Sequence, residues 1–310
     1  MSTDPRKVFV AGATGVVGLP AGRALVTDGH QVTGVARTDA KADLLRSLGA
    51  DAVAVDLFDA RAVAAATAGH DVIVNLATKI PPATKAWRAA AWAENERIRH
   101  DVSAHLADAA IAQGAERYVQ EALAFAYADH GDTLITEDEP IDPPSGLDGV
   151  ARAEANAGRV TEAGAVGVVL RFGNFYGPGS SYTEDTIRMA RRRISTAIGA
   201  GDAYWSPIHA DDAGGAVAAA LRAPAGAYNV VDDEPLTRDQ NDQALADAVG
   251  VASLRRPPKP VARLVESRAP IMGRSIRASN ARFSAATGWS PAYHSTREGW
   301  VAVVAAVGNP

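Results

Sequence analysis

The sequence predicts a doubly wound parallel α/β sheet, and three observations predict it. Short, fully apolar, β-branched runs alternate with longer Ala- and Leu-rich stretches. Runs of that kind are strands buried on both faces, the state of parallel strands covered by helices. A glycine-rich turn that opens a helix follows the first run directly. The right-handed crossover rule then winds successive strand–helix units onto the two faces of one sheet.

Lys7-Val8-Phe9-Val10-Ala11 is the first strand, followed by the glycine turn and an apolar helix through about Asp28. Gln31–Ala36 is the second strand, with a helix over Asp39–Leu48. Asp51–Asp56 is the third, with a helix over Asp59–Ala68. Asp71–Leu76 is the fourth, followed by a long helix over Ala86–Gln113. Arg117–Gln120 and Gly167–Phe172 supply later strands. After residue 172 the alternation lapses. Gly177-Pro178-Gly179 and Pro207 punctuate the chain, and Arg255-Arg256-Pro257-Pro258-Lys259-Pro260 reads as a connector. The C-terminal part is therefore a smaller, irregular lobe, placed to close over the carboxyl ends of the strands.

Composition narrows the function classes. The 310 residues carry 31 Lys and Arg against 36 Asp and Glu, a net charge of −5, and no cysteine. A mildly acidic, evenly charged chain is a poor match for a nucleic-acid backbone. Without cysteine there is no thiolate metal site and no thiol nucleophile. The histidines are scattered and no H-E-x-x-H motif occurs, so no metal is expected. No apolar run approaches the ~20 residues that span a bilayer, so no membrane partner is expected. The polar start at Met1–Lys7 has no signal-peptide character, and the cytoplasm is the expected compartment.

Gly12-Ala13-Thr14-Gly15-Val16-Val17-Gly18 carries the first chemistry. In such a turn the first glycine permits the tight bend, the second lets backbone N–H groups approach a pyrophosphate, and the third lets helix and strand pack closely. The helix N-terminus adds a partial positive charge. The spacing is G-x-x-G-x-x-G. Its position after the first strand makes it a dinucleotide site in a Rossmann-type sheet, with Gly12, Thr14, Gly15, Val16, Val17 and Gly18 around the diphosphate. An NAD site would carry a carboxylate at the end of the second strand. Here that strand ends in Arg37, which can hold a 2′-phosphate, so NADP is favoured over NAD. Asp39 nearby leaves open that Arg37 is only a solvated loop charge. On this reading residues 1–172 and 205–235 form the dinucleotide-binding domain, and 173–204 and 236–310 the substrate lobe.

These residues resemble the extended short-chain dehydrogenase/reductases, the NAD(P)-dependent epimerase/dehydratase family. Five further blocks follow in order: Asp56-Leu57; Asn75-Leu76-Ala77-Thr78; Leu170-Arg171-Phe172-Gly173-Asn174-Phe175-Tyr176-Gly177-Pro178-Gly179; Ile208-His209-Ala210-Asp211-Asp212; and Gly288-Trp289-Ser290-Pro291. The resemblance implies that Asp56 and Leu57 contact the adenine. It places Leu76, Ala77 and Thr78 along the cofactor ribose and Phe172 near the nicotinamide. It turns Asn174 and Tyr176 toward a small-molecule substrate and sets His209 at the pocket edge, structural or a general base. Relatives of this fold often dimerise through two long helices, here Ala86–Gln113 and Gly149–Ala163, so a homodimer is open to this chain.

The family's proton-transfer residues are missing. Taking Glu154 as the family's glutamate places the usual tyrosine and lysine at Gly146 and Val150, and no hydroxyl lies between Glu121 and Phe125. Three readings follow. An atypical reductase would take its acid/base from elsewhere. Glu121 at a strand end is the first candidate, with Tyr127 and Lys79 after it, and Arg99 facing the substrate. Each has a plainer alternative: Glu121 paired with Arg99 or capping a loop, Tyr127 packed, Lys79 solvated. A non-redox isomerase, dehydratase or cyclase would keep the nucleotide without net hydride transfer. An NADP-sensing regulator would bind and not turn over. Trp87, Trp92 and Trp205 either line an apolar pocket or pack. No arginine pair suited to a nucleotide-sugar diphosphate is visible in the C-terminal lobe. A less polar intermediate of secondary metabolism is therefore as reasonable a substrate as a sugar nucleotide.

Overall fold

The computed structural model describes residues 4–81, 88–144, 147–258, 271 and 273–308. Its first half follows the apolar runs: β1 (Lys7–Ala11), α1 (Gly18–Thr27), β2 (Gln31–Val35), α2 (Asp39–Ser47), β3 (Asp51–Val53), α3 (Ala60–Thr67) and β4 (Val72–Asn75). The third strand is shorter than its apolar run, because Asp56 turns its carboxylate onto the Phe58 N–H and ends the extended chain.

The stretch expected as one helix over 86–113 is broken. Residues 86 and 87, Trp87 among them, lie outside the described residues. A 3₁₀ turn over Ala89–Trp92, α4 (Ala93–Arg97), a π-helical turn over Ile98–Val102 and α5 (Ser103–Gln113) follow. Ser103 is the cause. Its hydroxyl donates to the Arg99 carbonyl, and its N–H reaches back one residue further, to Ile98. A hydroxyl that takes a helical carbonyl in this way bends or rephases the helix. The extra residue in the turn leaves Arg99 in the interior at 1% exposure.

β5 (Arg117–Leu123), α6 (Gly149–Glu162) and β6 (Val166–Phe172) complete the second half-sheet, and α7 (Ser181–Arg191) opens the lobe. The chain then returns through α8 (Ala210–Ala219) to a seventh strand, β7 (Gly226–Val230). The order is β3-β2-β1-β4-β5-β6-β7, every pair parallel, with Phe9 level with Thr33 on one side and Ile73 on the other.

Alternation along β1 divides the core. Val8 and Val10 face Leu25, Leu170 and Val217, while Phe9 faces Ile73, Leu106, Tyr118 and Val160. Each large apolar side chain buried in this way contributes about 1.5–3 kcal/mol. Winding reverses between β1 and β4, so the crevice at their carboxyl ends is the switch point where an open α/β sheet takes its ligand.

The remaining helices are α9 (Arg238–Val249), α10 (Ala281–Thr287) and α11 (Thr296–Val307). Tyr176, Ile187, Leu245, Trp300 and Val303 form a separate small core between α7, α9 and α11. In the expected connector, Arg255 bridges to Ile194, and Lys259 and Pro260 lie outside the described residues. Trp205 is half-buried and paired with Leu236. No helix among the described residues is long and apolar enough to cross a membrane.

Candidate cofactor cleft and reactive end

The turn after β1 admits no side chain at its first and last glycines. Gly12 has φ +79°, and a Cβ there would stand 2.4 Å from the Leu76 carbonyl oxygen. A Cβ on Gly18 would stand 2.1 Å from the Gly12 carbonyl oxygen. The Gly15 N–H donates to that same oxygen at 3.0 Å and closes the bend. α1 starts without a side-chain cap at Val17 and without an acidic residue in its first turn. Its leading N–H groups and positive dipole end are thus left for an anion. Thr14 is half-buried, Gly15 and Val16 are exposed and Val17 is buried, so the backbone at 14–16 is open. The residues present fit a dinucleotide diphosphate.

Arg37 stands two residues beyond β2, exposed, with no hydrogen bond or ion pair to the described residues. Thr38 beside it caps α2, accepting from the Lys41 N–H at 3.4 Å. Asp39 is exposed in the first turn and does not engage the guanidinium. Asp56 is exposed and Leu57 half-buried, with the Leu57 carbonyl hydrogen-bonded to His105 Nδ1 at 3.1 Å.

At the end of β4 the Leu76 N–H donates to the Ala11 carbonyl at 2.9 Å, and the Ala77 N–H to Asn75 Oδ1 at 3.1 Å. The buried Asn75 amide donates to Gln120 Oε1 at 3.0 Å, and the Tyr118 hydroxyl to the same oxygen at 2.6 Å. The floor between β4 and β5 is therefore cross-linked and rigid. Thr78 and Lys79 are exposed, and the Lys79 N–H donates to Asn95 Oδ1 at 2.9 Å.

Val150, where the resemblance puts the family's lysine, is a buried apolar residue; Gly146 lies outside the described residues; and between Glu121 and Phe125 stand buried Ala122, Leu123 and Ala124. Glu121, 4% exposed, accepts from Arg99 Nη2 at 2.9 Å through Oε1. Its Oε2, and Nε and Nη1 of Arg99, are buried with no partner. Burial raises the Glu121 carboxyl above the ordinary range, against the pull of Arg99. Glu96, not anticipated from the sequence, accepts from the Gly149 N–H at 2.8 Å through Oε2, and its Oε1 is likewise buried and unpartnered. Burial raises its carboxyl too. The start of α6 lies directly on this cluster, since a Cβ on Gly149 would be 2.8 Å from both Arg99 Cβ and Glu96 Oε2. The signal for Glu96 in the sequence was its three-residue spacing from Arg99 within one helix.

Tyr127 is fully buried. Its hydroxyl donates to Asn229 Oδ1 at 2.9 Å and accepts from Arg171 Nη1 at 2.7 Å. Arg171 in turn grips Glu154 through Nε and Nη2 at 2.9 and 2.8 Å. Burial raises the Tyr127 phenol. Phe172 is buried against Phe175, ring centroids 5.3 Å apart, and Asn174 is half-buried. Tyr176 is 1% exposed and donates to Asp232 Oδ2 at 3.2 Å, and its hydroxyl lies so close to Gly299 that a Cβ there would be 2.1 Å away. His209 caps α8, its Nδ1 accepting from the Asp211 N–H at 3.2 Å, and burial lowers its pKa. Tyr176 and His209 are both buried and pack edge to face, ring centroids 5.3 Å apart. No group of three or more His, Cys, Asp and Glu among the described residues could hold a metal ion.

Comparison with known proteins gives a consistent picture. The model of the NAD dependent epimerase/dehydratase family matches residues 8–231. A 3-diazoavenalumate denitrifying reductase of Streptomyces sp is 36% identical over 94% of this chain and 98% of its own. A ceramide reductase of Caulobacter vibrioides is 27% identical over 72% of this chain and 64% of its own. Among solved structures, the human epimerase family protein SDR39U1 with NADPH has a TM-score of 0.79 at 23% identity, covering 96% of this chain and 98% of that one. The Thermus thermophilus UDP-glucose 4-epimerase with NAD has a TM-score of 0.74 at 20% identity, covering 96% and 97%. The two structures share the fold.

Proposed function

The chain belongs to the NAD-dependent epimerase/dehydratase family of NAD(P)-dependent enzymes, and from that premise we propose an NADP(H)-dependent reductase whose electrophile needs no proton donor. One observation carries the reading. The diphosphate turn is complete, while the sequence has no hydroxyl between Glu121 and Phe125 and, on the family's spacing from Glu154, Gly146 and Val150 in place of the tyrosine and lysine. A ketone reduced without them would leave an unstabilised alkoxide. A diazonium carbon has no such need. Reduced nicotinamide, when bound, would supply a hydride to it; the C–N bond would break, dinitrogen would leave with the bonding pair, and R–N₂⁺ would become R–H. The relative named for a denitrifying reduction of a diazo compound, similar along almost the whole chain, supports this choice and a place in secondary metabolism.

In this reading the chain holds and orients and does not move a proton. Gly12, Gly15 and Gly18 grip the diphosphate, with Thr14, Val16 and Val17 around it. Arg37 takes the 2′-phosphate. Asp56 and Leu57 flank the adenine, and Leu76, Ala77 and Thr78 the second ribose. Phe172 and Leu123 give the reactive end apolar walls that exclude water. Asn174 is the polar group left for the substrate.

The direct test mixes purified protein, NADPH and a small aromatic diazo acid. Loss of the reduced cofactor's absorbance in step with dinitrogen release is expected. Turnover with the cofactor unchanged would move the protein to the non-redox class, and tight binding without turnover to the sensors. Arg37→Asp is expected to weaken NADPH at least about thirtyfold and NADH less than threefold, because one charge-assisted pair becomes a repulsion. Equal losses in a calorimetric titration of the two nucleotides would refute the 2′-phosphate assignment.

A further inference from the structure

The charge at the start of α6, next to Val150, has the wrong sign for an oxyanion. Glu121 is buried, Glu96 is half-buried, and a single buried Arg99 stands between them. Each glutamate keeps one buried oxygen without a hydrogen-bond donor, Oε2 of Glu121 and Oε1 of Glu96. Leu123 and Val150 add no donor and no positive charge. Lys79, Asp148 and Arg152 are exposed nearby, where water and salt screen them.

The cluster lies at the carboxyl end of β5 and under the first residue of α6. The diphosphate turn follows β1 and Arg37 follows β2, so the adenosine half extends toward β2 and β3. The nicotinamide half must extend the other way, over the ends of β4 and β5, beside this cluster.

We infer that Glu121 and Glu96, held by Arg99, set a net negative field at the reactive end of the cleft and select a cationic electrophile such as a diazonium head group. This rests on the reductase reading above and names its substrate class. Both glutamates act through space and touch no substrate, which makes them positioning residues for charge. Their carboxyls are raised by burial, and a cation in the cleft opposes that shift. One uncompensated charge within reach of a partly buried site changes affinity by about tenfold or more.

The test uses two probes of one shape that differ by a single charge, 4-(trimethylammonio)benzoate and 4-tert-butylbenzoate, titrated into NADPH-loaded protein. The cationic probe is expected to bind at least about tenfold tighter. Glu96→Gln, at a half-buried site that tolerates substitution better than Glu121, is expected to cut that ratio at least threefold while leaving NADPH affinity within twofold. Equal binding of the two probes, binding of neither, or an unchanged ratio in Glu96→Gln overturns the inference. The diazo assay separates the two levels. Cofactor consumption without a cation preference removes this inference and leaves the reductase. A cation preference without cofactor consumption keeps the charge selectivity and removes the reductase.

Discussion

Replacing Gly12 with alanine should weaken NADPH at least about a hundredfold. The backbone there sits at φ +79°, a region an L side chain rarely adopts, and the new Cβ would fall 2.4 Å from the Leu76 carbonyl oxygen and 2.7 Å from the Ala77 nitrogen. Those atoms belong to the end of β4, which cannot retreat, because Leu76 is bonded to Ala11 and Asn75 to Gln120. The turn must open instead, and its N–H groups leave the positions that face a diphosphate. Gly22→Ala in the same α1 is the control. A Cβ there meets nothing within 4 Å, and alanine in a helix interior is favoured by about 0.5–1 kcal/mol, so nucleotide affinity should hold and stability rise slightly. Titration of both variants, with far-UV circular dichroism to give the folded fraction, separates grip from folding. A Gly12→Ala protein that is folded and binds within threefold of wild type would remove the turn from the site.

Arg171→Leu should cost about 3–5 kcal/mol of stability, the range for stripping one partner from a buried ion pair. The arginine holds both oxygens of Glu154 and the Tyr127 hydroxyl at once, so its loss strands a carboxylate and leaves a phenol one bond short. Removing Glu154 as well, in Arg171→Leu with Glu154→Leu, should recover part of that loss, since the two residues share one interaction. Tyr127→Phe separates scaffold from chemistry. If Tyr127 is a strut between β5, β6 and β7, its phenylalanine variant loses stability and keeps turnover within about threefold. A loss of turnover of a hundredfold or more, with stability intact, would make Tyr127 the acid/base. Urea denaturation reads the first quantity and cofactor absorbance the second.

Much of this architecture was legible because continuous apolar runs such as Val8–Ala11 and Val72–Val74 have one stable home, a strand covered on both faces. The glycine turn was legible for the same kind of reason, since each of its positions answers to one local constraint. What escaped depends on partners far along the chain. The helix over 86–113 gives no outward sign that the Ser103 hydroxyl will take the Arg99 carbonyl and turn Arg99 inward. The sequence left Glu121 open between an acid/base and a partner of Arg99, and the fold places it in the ion pair, with Glu96 added from the neighbouring turn. Tyr176 and His209 lie in a motif that reads as substrate-facing. That the Tyr176 ring is buried against Gly299 on α11, more than 120 residues further along the chain, is a contact no local pattern announces.

The most direct single measurement runs the diazo reaction in D₂O with unlabelled NADPH and examines the carbon that loses dinitrogen. Hydride delivery without a proton donor predicts hydrogen from the cofactor at that carbon, with no deuterium incorporated and a solvent isotope effect close to one. Deuterium at that carbon would mean that solvent supplies its hydrogen, and would contradict direct delivery of hydride from the cofactor to the carbon.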